Sequence, residues 1–245
     1  MDDVWVSSFA EISIKVSDDP LDFVLKYQDA IDLHWIKRSR ENPSFFDGTV
    51  FMLSGFERAM ATFEAQAHAV RFRDYLFWRE VGRMGAELVA APLVHHIFGG
   101  ALLWLRDNRA IVARAALGTM NDGRWQLPGG FIDQHDVVDD SRDGGRRIDV
   151  DGQIARELTE ELGVSIGEVL PRSDYWIIAQ NNQIGVVRAY DVDGPPDARL
   201  ASWNAFVRQD PQEENTAVAT IASVSEIRED ETAPYCWKLL NAVLP

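Results

Sequence analysis

Residues 152–164 constrain this chain more than any other stretch. Ile154, Leu158 and Leu162 recur one helical turn apart, and Gly163 follows as a left-handed stop signal. A helix over about Gly152–Leu162 therefore has one face to bury. On 3.6 residues per turn, Glu157, Glu160 and Glu161 lie at offsets 0, 3 and 4, within an arc of about 100° beside that apolar stripe. Three carboxylates this close repel one another, and their pKa values rise unless a cation intervenes. Hard divalent ions such as Mg²⁺ or Mn²⁺ take oxygen ligands of this kind, together with waters and substrate phosphates. By itself such a triplet is more often a solvated acidic face. The strand-like Trp125-Gln126-Leu127 running into Pro128-Gly129-Gly130 shifts the balance. Paired glycines allow close approach of backbone to helix and leave carbonyls that can join a metal shell.

The rest of the chain reads as alternating strands and helices. Ile12, Ile14 and Val16 alternate as a strand, and Asp19-Pro20 suits a helix start. Leu21, Val24, Leu25, Ile31 and Trp35 continue at helical spacing, with a stop expected at Asn42-Pro43. Asp47-Gly48 between Phe45-Phe46 and Val50–Leu53 is a hairpin signal. Residues 56–90 carry no clean period. Gly100–Leu105 and Ala110–Ala116 read as paired strands around an Arg106–Arg109 turn, and the Asp-, Arg- and Gly-rich 133–151 as a solvated loop. Tyr175–Ala179 and Ile184–Val192 read as strands joined by Gln180-Asn181-Asn182. A helix within 195–208, a strand over 216–224 and a closing helix over 235–243 complete the pattern. The division expected is an N-terminal region over 1–90 and a second domain over 91–245.

With 24 Lys and Arg against 39 Asp and Glu, the formal charge is −15. That acidity argues against nucleic acid or an anionic membrane as partner, though not against a small anion met by a few local cations or a metal. Hydrophobic residues at 46% exclude wholesale disorder. No apolar run of about 18 residues marks a membrane span. No basic start followed by an apolar run suggests a secretory leader, so the expected compartment is the cytoplasm. Cys236, the sole cysteine, suits a small buried apolar position.

The pattern Gly130, then Arg156-Glu157-Leu158-x-Glu160-Glu161-x-Gly163-Val164, resembles the Nudix hydrolase signature G-x5-E-x7-R-E-U-x-E-E-x-G-U, with U a bulky aliphatic residue. The resemblance covers about residues 94–230. One departure stands out: Gly130 and Arg156 are 26 positions apart, where the family has fourteen. Twelve extra residues fall inside the signature, and the first glutamate has no single counterpart. Asp136, Asp149 and Asp151 are candidates for it. A second, more specific resemblance links Trp35, Glu41–Gly48, Ala179–Asn182 and Glu213–Thr216 to the UDP-glucose diphosphatase branch of the family.

These resemblances imply an α/β/α sandwich with a mixed sheet, preceded by a helix-and-hairpin region. The activity implied is metal-dependent hydrolysis of the diphosphate of a nucleoside diphosphate sugar, giving UMP and sugar 1-phosphate. ADP-ribose or another nucleoside diphosphate derivative is the nearest alternative substrate, and a noncatalytic nucleotide sensor the alternative of a different class. The expected cofactor is Mg²⁺ or Mn²⁺, held by Glu157, Glu160 and Glu161, with Arg156 organising the carboxylates. Arg114, Gly129, Gly130 and Glu214 are the expected substrate contacts. Arg114 is as readily a solvated strand end, and Glu213 and Glu214 are more readily loop solvation. His95, His96 and Trp125 read as structural in preference to substrate-binding.

Overall fold

The computed structural model describes residues 4–43, 45–82, 94–141, 144–209 and 214–245. The boundary expected near residue 90, and Glu213, lie outside them. In chain order the elements are β1 (Trp5–Phe9), β2 (Glu11–Ser17), α1 (Asp22–Lys26), α2 (Gln28–Glu41), β3 (Thr49–Ala59), β4 (Thr62–Arg71), α3 (Phe72–Phe77), β5 (His95–Leu105) and β6 (Ala110–Ala115). They continue with β7 (Trp125–Gln126), β8 (Gly129–Phe131), β9 (Val137–Asp139), β10 (Arg146–Ile148), α4 (Val150–Leu162), β11 (Val169–Gln180), β12 (Gln183–Val192), α5 (Pro196–Val207), β13 (Asn215–Ile221) and α6 (Pro234–Val243). The chain forms two compact units. One comprises residues 1–11, 98–130 and 150–245, the other 12–97 and 131–149. Among the described residues no helix is long and apolar enough to cross a membrane.

The first unit is a layered α/β structure. β11 and β12 form an antiparallel hairpin whose turn residues Asn181 and Asn182 have φ of 51° and 56°. Asparagine tolerates this left-handed conformation, which a tight hairpin turn requires. β1 adds to β11, while β6 lies between β13 and β7. Strand side chains alternate between faces. Leu102, Trp104, Ala110 and Val112 share a core with Cys236, Leu239 and Leu240 of α6. The intervening Ala101, Leu103, Ile111 and Ala113 are buried on the opposite face. α4 packs on β12 and α5 on β13. Burial on both faces accounts for the unbroken apolar runs in β5 and β6. Cys236 is fully buried, as expected, and burial pushes its thiol pKa up.

The second unit contains the expected helices and a hairpin, but not where the sequence suggests. The apolar helical run is interrupted at Tyr27, which separates α1 from α2; α2 ends at Asn42 as expected. Asp47-Gly48 is not a hairpin turn. The Asp47 carboxylate accepts the backbone N–H of Arg73 (3.0 Å) and pairs with the guanidinium groups of Arg73 (2.8 Å) and Arg71 (3.0 Å). These partners lie 24 and 26 residues away and hold the segment at the β4–α3 junction. The hairpin is instead β3–β4, turning at Met60-Ala61, with Met60 at φ 44°.

Residues 133–151 are likewise not a plain solvated loop. β9 and β10 pair with each other, and Arg147 of β10 pairs with Lys15 of β2. Ile132, Asp136, Asp140 and Ile148 are buried. His96 is buried between the rings of Tyr75 (4.4 Å) and Phe131 (4.8 Å), and His95 meets Phe56 edge-on.

Candidate functional site

α4 is the element that carries the acids, and its end is fixed by packing. Gly163 (φ 66°) donates its N–H to the Thr159 carbonyl at 3.0 Å, and Val164 donates to the Leu158 carbonyl at 3.0 Å. The Gly163 bond is that of a left-handed helix cap, and the Val164 bond closes the end a second time. A Cβ at position 163 would also lie 2.5 Å from the Phe206 ring of α5. Ile154, Leu158 and Leu162 are buried as the apolar stripe, as expected.

The polar stripe that meets the glycine bend is Gln153, Glu157 and Glu161, one residue per helical turn. Gln153 donates Nε2 to the Gly130 carbonyl at 3.2 Å. Glu157 lies against Gly130 so closely that a Cβ there would sit 2.5 Å from its Oε2. Glu161 accepts the Gly129 N–H at 2.9 Å. Gly129 has φ 147°, and a Cβ on it would lie 2.3 Å from the Gly99 carbonyl oxygen. Both glycines are thus required by close approach, the first to backbone and the second to a carboxylate.

The expected triplet does not converge as a set. Glu157 and Glu161 are 7% and 5% exposed and face the bend. The Glu160 side chain is 54% exposed and pairs with Arg156 Nη1 at 3.1 Å. The same Arg156 atom meets Glu157 Oε1 at 2.9 Å, so Arg156 bridges the outward and the inward acid. Gln153 was not among the expected site residues; its position one turn before Glu157 was the available signal. Burial, then the charges of Glu157 and Glu214, raise the Glu161 pKa well above the ordinary glutamate range; the Gly129 N–H and the Asn215 amide oppose this.

The other expected residues have partners of their own. Arg114 donates Nε to the Gly123 carbonyl at 3.0 Å and its guanidinium lies over the Trp125 ring. Glu214 accepts the Ala116 N–H on its carbonyl at 2.9 Å, and its side chain is exposed. Asp151 is held by Arg188 (2.6 Å) and the Tyr175 hydroxyl (2.7 Å). Asp136 accepts the Asp133 N–H at 2.9 Å, and its own carbonyl accepts the Asp149 N–H at 2.7 Å. Of the three candidates for the missing glutamate, Asp136 and Asp151 thus have structural partners for their carboxylates, and Asp149 is tied through its backbone.

Among the described residues no group of three or more His, Cys, Asp or Glu side chains is gathered closely enough to form a metal cage. Mg²⁺ does not require one. It binds through one or two carboxylates and completes its shell with waters and substrate phosphates. Glu157 and Glu161, buried and mutually repelling beside a glycine bend, fit that demand, because a divalent cation would relieve their repulsion.

No protein-family model matches this sequence, and neither does any curated protein. Solved structures do match. A MutT protein from Methanosarcina mazei Go1 has 16% identity and a TM-score of 0.33, over 60% of this chain and 90% of its own. The M. smegmatis Nudix hydrolase RenU has 16% identity and a TM-score of 0.39, over 61% of this chain and 85% of its own. The E. coli ORF135 protein has 21% identity and a TM-score of 0.32, over 60% and 89%. Likeness at this level carries no argument about activity, which rests on the side chains above.

Proposed function

We propose that this protein is a metal-dependent hydrolase of the Nudix type that splits a phosphoanhydride bond in a nucleoside diphosphate derivative. The observation that carries the reading is the seating of Glu157 and Glu161 on the Gly129–Gly130 bend, with Arg156 bridging Glu157 and Glu160. Glu157 and Glu161 would hold Mg²⁺ or Mn²⁺, with Glu160 available from the solvent side. Such an ion, when bound, neutralises charge on the pyrophosphate oxygens and acidifies an attacking water. Arg156 keeps Glu157 oriented, while the Gly129 N–H fixes one oxygen of Glu161. Gln153 holds the Gly130 carbonyl, so the bend has a defined shape before substrate arrives. In a chain of net charge −15, gathered cations are what allow a polyanion to approach.

The finer proposal is a nucleotide sugar as substrate, UDP-glucose or a close relative, cleaved to UMP and the sugar 1-phosphate. Product identification across nucleotide sugars and ADP-ribose, with Mg²⁺ and with Mn²⁺, tests it. UMP and glucose 1-phosphate from UDP-glucose support it. Cleavage of ADP-ribose alone rejects the sugar reading and keeps the hydrolase. Ligand-induced stabilisation with no turnover of any diphosphate rejects the hydrolase in favour of a sensor.

A further inference from the structure

Two amides are buried in the sheet beside the acids, where apolar side chains would ordinarily pack. Gln126 of β7 and Asn215 of β13 are 8% and 4% exposed. They flank β6 on opposite sides, Gln126 opposite Ala113 and Asn215 opposite Ala115. Residues directly across a ladder share a face, and so do positions two apart on one strand. The two amides therefore lie on one face of the sheet, and the methyl side chains of β6 leave room for them to meet above the strand. They do: Gln126 Nε2 donates to Asn215 Oδ1 at 3.2 Å. At the outer end, Asn121 Nδ2 donates to Gln126 Oε1. Asn121 belongs to the Ala116–Arg124 loop, which is closed by Gly123 N–H to the Ala116 carbonyl (3.3 Å) and Ala115 N–H to the Arg124 carbonyl (3.0 Å).

The direction of this chain is fixed by its chemistry. Each amide offers its oxygen outward and its NH₂ inward, so reversing one alone would set oxygen against oxygen. At the inner end the Asn215 Nδ2 is buried and has no hydrogen-bond partner, and the Glu161 carboxylate lies near enough for the amide to act on it. A buried carboxylate is the acceptor that this polarity calls for. Glu161 therefore has the Gly129 N–H as its donor and, near it, an unsatisfied amide that is itself anchored through Gln126 to Asn121. Buried amides of this kind cost stability relative to a packed apolar core unless every member is satisfied. We propose that Gln126 and Asn215 are positioning residues for Glu161, and that they couple the seating of that carboxylate to the Ala116–Arg124 loop. The catalytic part of this inference rests on the hydrolase reading; the coupling itself does not.

Two measurements on Asn215→Leu, Gln126→Leu and Asn121→Ala test it. The first is hydrogen exchange at the Gly129 amide, whose bond to Glu161 reports the seating directly. Exchange at Gly129 should quicken about tenfold or more in the two leucine variants, the worth of one hydrogen bond to a charged group, and less in Asn121→Ala. The second is steady-state kinetics on the diphosphate that the substrate panel identifies. There kcat should fall about 10- to 100-fold while KM stays within about threefold, as expected when a group is misplaced and not removed. Wild-type exchange at Gly129 in both leucine variants overturns the proposal. So does exchange quickened equally throughout β7, β13 and α4, which marks a purely structural role. Should Asn215→Leu fail to fold, Asn215→Asp keeps the volume, turns an oxygen toward Glu161 and is read the same way. If the wild type cleaves no diphosphate, the hydrolase reading fails while the exchange experiment still decides the coupling.

Discussion

Adding one methyl group at Gly130 should damage the site without damaging the fold. An alanine Cβ there would lie 2.5 Å from Glu157 Oε2 and 2.8 Å from its Cδ, whereas ordinary contact begins near 3.4 Å. The carboxylate must retreat by about 0.9 Å, the difference between those distances. It is the far end of a flexible side chain, so the retreat costs about 0.5–1.5 kcal/mol as an off-rotamer torsion. The lost glycine freedom of the unfolded chain returns about 0.4–1 kcal/mol, so stability should be nearly unchanged. Catalysis should not be. A misplacement of about 1 Å costs about 100-fold in rate, or about 2.7 kcal/mol of transition-state stabilisation. Gly129→Ala is the control, because its Cβ would meet immovable backbone at Gly99 O (2.3 Å) and Gly100 Cα (2.5 Å). That clash should cost about 4 kcal/mol or more, lowering Tm by about 8–16 °C. The assay is kcat/KM for the preferred diphosphate at saturating Mg²⁺, beside calorimetric Tm. Wild-type kcat/KM in Gly130→Ala, with Tm unchanged, would refute the placement of Glu157 in the machinery.

Glu161→Gln should lose about two to three orders of magnitude in turnover and keep or raise Tm, since a buried carboxylate beside another is replaced by a neutral isostere; a rate within tenfold of wild type contradicts this. EDTA should abolish activity and Mg²⁺ restore it, with Mg²⁺ also raising wild-type Tm by linkage; full activity in excess chelator rejects the metal mechanism. Burial raises the pKa of Asp74, which accepts the Arg71 N–H at 2.8 Å at the start of α3. The folded state therefore holds this proton more tightly than the unfolded state, whose Asp pKa is near 3.8. The group's contribution is most favourable below that pH and is lost as pH rises through the shifted value. The Tm of Asp74→Asn relative to wild type should accordingly increase from pH 4 toward neutrality, and a flat or falling difference would count against it.

Local signals carried much of the fold. Gly163 ends α4, Asn42 ends α2, and Asn181-Asn182 turns β11 into β12, because each of these is decided by the conformation of one or two residues. What failed to show in the sequence was decided at long range. Asp47-Gly48 has the composition of a hairpin turn, but two arginines more than twenty residues away hold the carboxylate. The actual turn at Met60-Ala61 has neither asparagine nor glycine, so it carries no local mark. Residues 133–151 look solvated by composition, yet β10 gains a partner in β2 that no local pattern announces. At the site, helical spacing correctly placed three acids on one arc. It did not say which edge of the arc would meet the glycine bend, and that edge includes Gln153 and leaves Glu160 outside.

The stability of α4 and its chemistry pull in opposite directions. A helix that buries Ile154, Leu158 and Leu162 would gain from further apolar side chains at 157 and 161, since both positions are shielded from water. Carboxylates there incur desolvation and repel each other, and Arg156 relieves only Glu157. Glu160 incurs neither cost, being exposed and paired. Asp74, also buried, closes a helix start and so has a local structural role. Glu161 has none of that kind, because the Gly129 N–H that it accepts lies on the bend and not in its own helix. Departures from a helix's own packing rules concentrate where a protein does its work. The two inward acids, the glycine bend and the buried amides are one such departure, spread over α4, β8, β7 and β13.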